Sequence, residues 1–314
     1  MSGVSERAES ADYGAVSSGV GLAENPRGLS HSPRDDGEQS VVLPLKVSVL
    51  MCAFNEQERI EKAICEVLRT SYPCDIELIV VDDGSTDDTA LIAEKIDDPR
   101  LIVHRLPNNM GKGYALRCAA GLATGTHMLP FDADLEYSPD DIPRLIAPVI
   151  KRDYDVVYGA RIFGLNTVYQ SYRYAAGNRA LTRIANILFD ASISDLHTCL
   201  KLVSLALFRQ LALNEPRFGL DTELTATLLR LGVRPFEVPV SYHSRSHAQG
   251  KKIGWRDAIA CVAILVKVRL RRRKRLFATD LDPICLVVGS EVHLESCSMA
   301  STAKSQYRLE EELH

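Results

Sequence analysis

Asp132 and Asp134 are separated by one residue and follow the apolar run His127-Met-Leu-Pro-Phe131. Residues two apart on an extended chain face one side. Two hard carboxylates placed that way suit Mg2+ or Mn2+, and Glu136 can add a third. A metal held there would neutralise the oxygens of a departing diphosphate. A solvated acidic turn would have the same composition. Asp82 and Asp83 close a second apolar run, Ile76-Glu-Leu-Ile-Val-Val81. Paired carboxylates at such a position can hold the base and ribose of a nucleotide, or cap a turn. Lys112, between Gly111 and Gly113, opens a helical stretch. A lysine at a helix start favours phosphate, although the spacing is not that of a P-loop and a plain glycine turn reads alike.

These groups need a scaffold. Residues 46–53 form a β-rich run, and Ile60, Ile64, Val67 and Leu68 repeat at helical spacing after it. Residues 76–81, 101–104 and 127–131 read as further strands, with helices between them. Ser85 and Asp88 fit a capping box for the second helix. Strand and helix alternate through the first 150 residues, which predicts an α/β fold with a mostly parallel, doubly wound sheet. Right-handed crossovers bring the strand C-termini to one edge, where ligands bind. The polar clusters at 54–56, 82–88 and 132–136 all fall there. Beyond 150, the spacing predicts a strand at 155–161, helices at 174–189 and 218–231, and a strand at 234–240 whose prolines suit a sheet edge.

The chain has 314 residues and a net charge of −4, which gives no support for a nucleic-acid partner. Its eight cysteines form no CxxC pair and read as reduced thiols in a cytosolic protein. His243 and His247 have no further ligand nearby in sequence to complete a zinc site. Residues 1–44 have the composition of a disordered tail, 45–250 of one catalytic domain, 251–275 of an amphipathic, basic helix, and 276–314 of a loosely ordered tail. Seven of the nine residues from 267 to 275 are Lys or Arg, behind an apolar stretch containing Trp255. That combination suits an anionic membrane surface, or a helix packed on the domain with a solvated end.

Taken jointly, residues 49–56, the Val-Val-Asp-Asp-Gly-Ser-Thr-Asp of 80–87, residues 109–125 and Asp132-Ala-Asp-Leu-Glu136 resemble the family 2 glycosyltransferases. Within that family they are most similar to dolichol- or polyprenyl-phosphate mannosyl- and glucosyltransferases. Ser194-Asp-Leu-His-Thr-Cys-Leu-Lys201, Phe218-Gly-Leu-Asp-Thr-Glu-Leu224, Glu237-Val-Pro-Val240 and the loop of 245–253 extend the likeness over roughly residues 45–273. The resemblance implies a GT-A (Rossmann-like) fold. It implies a nucleotide site lined by Cys52, Phe54, Glu56 and Asp82, with Asp83, Lys112 and Arg117 beside it. It makes Asp132 and Asp134 metal ligands, with Glu136 where relatives often carry Gln, and sets Arg161 and Arg245 against phosphates of donor or acceptor. Asp195, Thr198, Lys201, Asp221, Glu223, Arg245 and Lys251 become acceptor-side residues. Cys52, Phe54 and His197 depart from the residues usual in the family.

The activity so implied is inverting transfer of mannose or glucose from GDP-mannose or UDP-glucose to a polyprenyl or dolichyl phosphate at the inner face of a membrane, with or without a membrane-embedded partner protein. An acceptor phosphate is already anionic and can attack without a strong base, so catalysis rests on positioning and charge stabilisation. A hydroxyl acceptor would need a carboxylate base, for which Asp221 and Glu223 are the candidates; Glu223 equally suits a structural role near a helix start. A non-catalytic nucleotide-sugar sensor is the remaining alternative.

Overall fold

The computed structural model describes residues 44–152, 154–161, 167–168, 172–244 and 255–278. The expected tails at 1–43 and 279–314 lie outside the described residues, as do the cationic loop of 245–253 and with it Arg245 and Lys251.

The apolar runs form strands β1 (Lys46–Ala53), β2 (Asp75–Asp82), β3 (Leu101–Arg105) and β4 (His127–Pro130), joined by helices α1 (Ile60–Arg69), α2 (Thr89–Glu94) and α3 (Lys112–Leu122). After α4 (Ile142–Arg152) come β5 (Val156–Ala160), β6 (Thr167–Val168), α5 (Tyr172–Phe189), β7 (Lys201–Ser204), α6 (Leu205–Gln210), α7 (Gly219–Arg230), β8 (Phe236–Pro239), β9 (Tyr242–His243) and α8 (Trp255–Leu270). The seven-stranded sheet has the order β3-β2-β1-β4-β7-β5-β8, and β6 pairs with β9 separately. The mostly parallel, doubly wound sheet expected from the sequence is present, and the proline-bearing β8 lies at its edge. Only β7 is reversed, antiparallel to both β4 and β5.

Alternation along the strands divides the core. Val47, Val49, Met51 and Ala53 of β1 pack with α1 and α4 on one face, while Leu50 packs with α3 and α7 on the other. Both faces are covered, which is why β1 and β2 read as continuous apolar runs. A third cluster joins α5, α7 and α8 through Phe189, Leu229, Ile264, Leu265 and Val268.

Three local expectations are corrected. Strand β4 ends at Pro130, so Asp132 and Asp134 stand in a turn rather than on an extended strand, and Leu135 there has φ +62°. Exposure still alternates: Phe131 and Ala133 are buried, Asp132 and Asp134 half-buried. The capping box of Ser85 and Asp88 does not form, because Ser85 Oγ accepts from Asn55 N–H at 2.9 Å instead. The basic helix is also shorter than its sequence suggests; α8 ends at Leu270, and a 3-10 turn (Arg273–Leu276) follows.

Candidate active site

The C-terminal ends of β1, β2 and β4 meet at one edge, and the start of the reversed β7 joins them. Four charges of alternating sign line up there. Lys112, the first residue of α3, sets Nζ 2.8 and 2.9 Å from the two carboxylate oxygens of Asp132. It is also 3.7 Å from Asp221 Oδ2 in the first turn of α7. Lys201 opens β7, is fully buried, and reaches Asp221 Oδ1 at 3.5 Å and its backbone carbonyl at 3.0 Å. Burial opposes the charge on Lys112, but Asp132 and Asp221 outweigh it and hold the ammonium firmly charged. Burial likewise opposes the charge on Asp221, and Lys201 and Lys112 overcome it, leaving that carboxyl below its ordinary range. For Lys201, burial wins and its affinity for the proton falls. Cys52 and Cys199 lie within reach of these charges. Burial pushes both thiols up.

The start of α3 depends on Gly111. Its φ of +96° favours glycine, and a Cβ there would stand 2.5 Å from the Pro216 carbonyl oxygen. The helix entry is not an open phosphate cradle. Asp83 accepts from Met110 N–H at 2.7 Å and Gly111 N–H at 2.9 Å, and Pro216 accepts from Tyr114 N–H at 3.0 Å. Asp83, expected on the nucleotide, therefore faces the protein. Its neighbour Asp82 points the other way, as consecutive strand residues do. Asp82 Oδ2 accepts from Ser85 N–H at 3.1 Å, and its buried Oδ1 has no partner. Phe54 is exposed beyond β1, and Glu56 pairs with Arg59 at 2.9 Å.

Other expected site residues are drawn into the framework. Arg161 was expected against phosphate; its guanidinium instead forks onto Asp195 at 2.5 and 2.8 Å and lies 4.8 Å from the Tyr242 ring centre. Burial would raise the Asp195 carboxyl, but Arg161 holds it down at about 2. Glu136 does not join Asp132 and Asp134: it accepts from Tyr242 O–H at 2.6 Å, and no group of three metal-binding side chains assembles among the described residues. Glu223 is equally committed. It accepts from Asn214 and Glu215 N–H at 2.8 Å each and pairs with Arg271 at 3.2 Å. Arg117 donates to the Glu215 carbonyl at 3.0 Å. Thr198 is buried with an unpartnered hydroxyl.

Residues 48–212 match the family model Glycosyl transferase family 2. The chain is a family 2 glycosyltransferase. The match covers the strand edge, Lys112, Asp132 and Lys201 but stops before Asp221. The glycosyltransferase is 28% identical to Glycosyltransferase AglD of Haloferax volcanii over 64% of this chain and 34% of that protein. It is 36% identical to the undecaprenyl-phosphate 4-deoxy-4-formamido-L-arabinose transferase of Sodalis glossinidius over 36% of each chain. It is 32% identical to the dodecaprenyl-phosphate galacturonate synthase of Rhizobium johnstonii over 40% of this chain and 38% of that one. The aligned region thus spans about a third of the length of these relatives. Among solved structures, glucosyl-3-phosphoglycerate synthase from Mycobacterium tuberculosis, in complex with Mn2+, UDP and phosphoglyceric acid, superposes with a TM-score of 0.54 at 22% identity, covering 73% of this chain and 80% of that one. The shared fold is GT-A.

The glycosyltransferase also contains polar partners that sequence reading did not find. Asn178 Nδ2 donates to Asp195 at 2.9 Å, which leaves its Oδ1 to accept from His197 Nδ1 at 2.9 Å. His197 Nε2 then carries the lone pair, 3.0 Å from Thr222 Oγ1 and 3.5 Å from Cys261 Sγ on α8. Burial, with Lys201 nearby, lowers His197 to about 4, so the ring is neutral at physiological pH. Asn178 and Cys261 lie in unrelated helices with no motif around them, so nothing in the sequence ties them to His197.

Proposed function

We propose that this glycosyltransferase moves a hexose from a nucleotide diphosphate sugar to the phosphate of a polyprenyl or dolichyl lipid, inverting the anomeric carbon, at the cytoplasmic face of a membrane. The observation that carries this reading is the state of Asp221. A hydroxyl acceptor needs a base, and Asp221, set between Lys112 and Lys201, is held below the usual carboxylate range and is a weak one. Glu223 is committed to backbone N–H groups and Arg271. A lipid monophosphate brings its own anionic oxygen, and the lysines offset the added negative charge. The names of relatives from Sodalis and Rhizobium, which refer to undecaprenyl and dodecaprenyl phosphate, support the same acceptor class.

On the donor side, Asp132 and Asp134 would hold Mg2+ or Mn2+; two half-buried carboxylates, with no third metal-binding side chain grouped with them among the described residues, leave room for phosphate oxygens and water. The metal would supply neutralisation of the leaving diphosphate. Lys112, held charged beside Asp132, adds positive charge at that point, and Asp82 with its unpartnered Oδ1 and the exposed Phe54 belong to the nucleotide side.

The test supplies labelled GDP-mannose or UDP-glucose, Mg2+ or Mn2+, and vesicles containing polyprenyl phosphate, with Asp134→Ala as control. Label entering the lipid phase with one donor, and not with the variant, is expected. Metal-dependent donor turnover without lipid labelling would retain the glycosyltransferase and discard the lipid acceptor.

A further inference from the structure

Lys112 opens α3 on a backbone that is clamped from both sides. A Cβ on Gly113 would run into the Glu215 and Arg217 carbonyl oxygens, and Asp83 holds the Met110 and Gly111 N–H groups. The helix start is pinned, so Lys112 changes partners by turning its side chain about a fixed root.

Two carboxylates lie within that sweep. Nζ is 2.8 and 2.9 Å from the two oxygens of Asp132 and 3.7 Å from Asp221 Oδ2. Nearly equidistant from both oxygens, the ammonium sits astride Asp132 and satisfies it with charge-assisted bonds. Asp221 is a ready second partner, already approached from its other side by Lys201 at 3.5 Å. Lys112 and Asp132 are half-buried and can be reached from the cleft. Asp132 is thus held by a cation of its own chain. It cannot serve a second cation while the ammonium spans both oxygens, except by bringing two like charges close together in a partly desolvated place.

We propose that Lys112 is a displaceable counter-ion for Asp132, and that the protein therefore takes up Mg2+ or Mn2+ together with the nucleotide diphosphate rather than ahead of it. Lys112 gives up Asp132 when it gains other anions: the diphosphate oxygens, with Asp221 sharing the ammonium. When the nucleotide leaves, Lys112 returns to Asp132, and the affinity for metal falls with it. One side chain sets the order of binding. A permanent ion pair would not act this way, but such a pair has no second carboxylate waiting within 4 Å of its cation. The inference rests on the reading of Asp132 and Asp134 as metal ligands and holds whichever acceptor takes the sugar.

Mn2+ binding to the full-length protein tests this, by titration calorimetry and by the paramagnetic resonance signal of the unbound ion. UDP or GDP is present or absent, with no sugar donor and no acceptor, so turnover plays no part. The wild type should bind Mn2+ about tenfold or more tightly with one of the two nucleotides than alone, within the usual size of coupling between two ligands. Lys112→Met keeps the length and removes the charge; it should bind Mn2+ alone about tenfold more tightly than the wild type, and the gain from nucleotide should shrink. Lys112→Arg keeps a cation and should behave as the wild type. Arg105→Met removes a cation that faces Asp82 instead, and should leave binding of Mn2+ alone where it was. Equal Mn2+ binding by the wild type with and without nucleotide overturns the proposal. So does a methionine variant no tighter for Mn2+ alone, or an arginine or Arg105 variant as tight as the methionine one; in each case the metal site itself stands. Mn2+ bound by none of these proteins, with or without nucleotide, would discard the metal reading and this inference with it.

Discussion

Two of the acid–base pairs of the catalytic domain look alike in sequence and differ in the fold. Lys112–Asp132 and Arg161–Asp195 are both close ion pairs, and all four residues carry functional expectations. The first pair is open at the edge, with side chains exposed to 18% and 26%. The second is closed in at 11% and 0%, with every observed bond of Asp195 made to the protein: Arg161, Asn178 and the backbone of His197. A charge that must meet a ligand needs a partner it can exchange; a charge that holds a fold needs one it cannot. Accessibility, more than residue type, separates the two.

The sharpest way to break this contrast is to remove one member of each pair. Asp195→Ala leaves Arg161 charged and buried, and should cost about 3–5 kcal/mol of stability in urea unfolding. Lys112→Ala should reverse the pattern: transfer falls roughly 10²- to 10³-fold, while stability moves by less than about 1 kcal/mol, since Asp132 can hydrate. If the two variants lose stability equally, the distinction between exchangeable and fixed pairs is wrong. Glu223→Gln sharpens it further. It should destabilise by about 1–3 kcal/mol by leaving Arg271 short of a partner, with transfer at saturating donor largely retained. A thousandfold loss of transfer without destabilisation would make Glu223 a base.

The smallest effect concerns pH. His197 has its folded value lowered from 6.5 to about 4. The unfolded chain therefore takes up the proton first, and this part of stability is complete above pH 6.5 and lost as pH falls toward 4. Asp195, lowered from 3.8 to about 2, loses its contribution only below that window. His197→Gln should flatten the melting temperature between pH 6.5 and about 4.5, measured by calorimetry. An unchanged slope would mean the ring is not held neutral.

The sheet was legible in sequence where strands are long, apolar and flanked by helices with clear spacing, as in β1, β2 and α1. Strand β7 was not. It has four residues, and it opens on a lysine that the sequence alone would place in water. Asp82 and Asp83 read as an equivalent pair, yet alternation sends one to the α3 entry and the other to Ser85. The Asp132, Lys112 and Asp221 neighbourhood was named residue by residue. What could not be read was which charges face one another, because Arg161 and Asp195 are 34 positions apart and no local period connects them. Glu136 was misplaced for a similar reason: its partner, Tyr242, is 106 positions away.

The segment at 212–217 joins three helices at once. Its Glu215 and Pro216 carbonyls rest on Gly113, Gly111 and Tyr114 of the α3 entry, its backbone N–H groups are tied to Glu223 of α7, and Arg271 just beyond α8 donates to Ala212 O at 3.3 Å. It therefore works as a spacer gauge. One inserted residue adds up to ~3.8 Å of chain, as much as the whole 3.7 Å between Lys112 and Asp221. Surface loops usually tolerate changes of length; this one, with no chemistry of its own, should permit substitution at many positions and insertion at none.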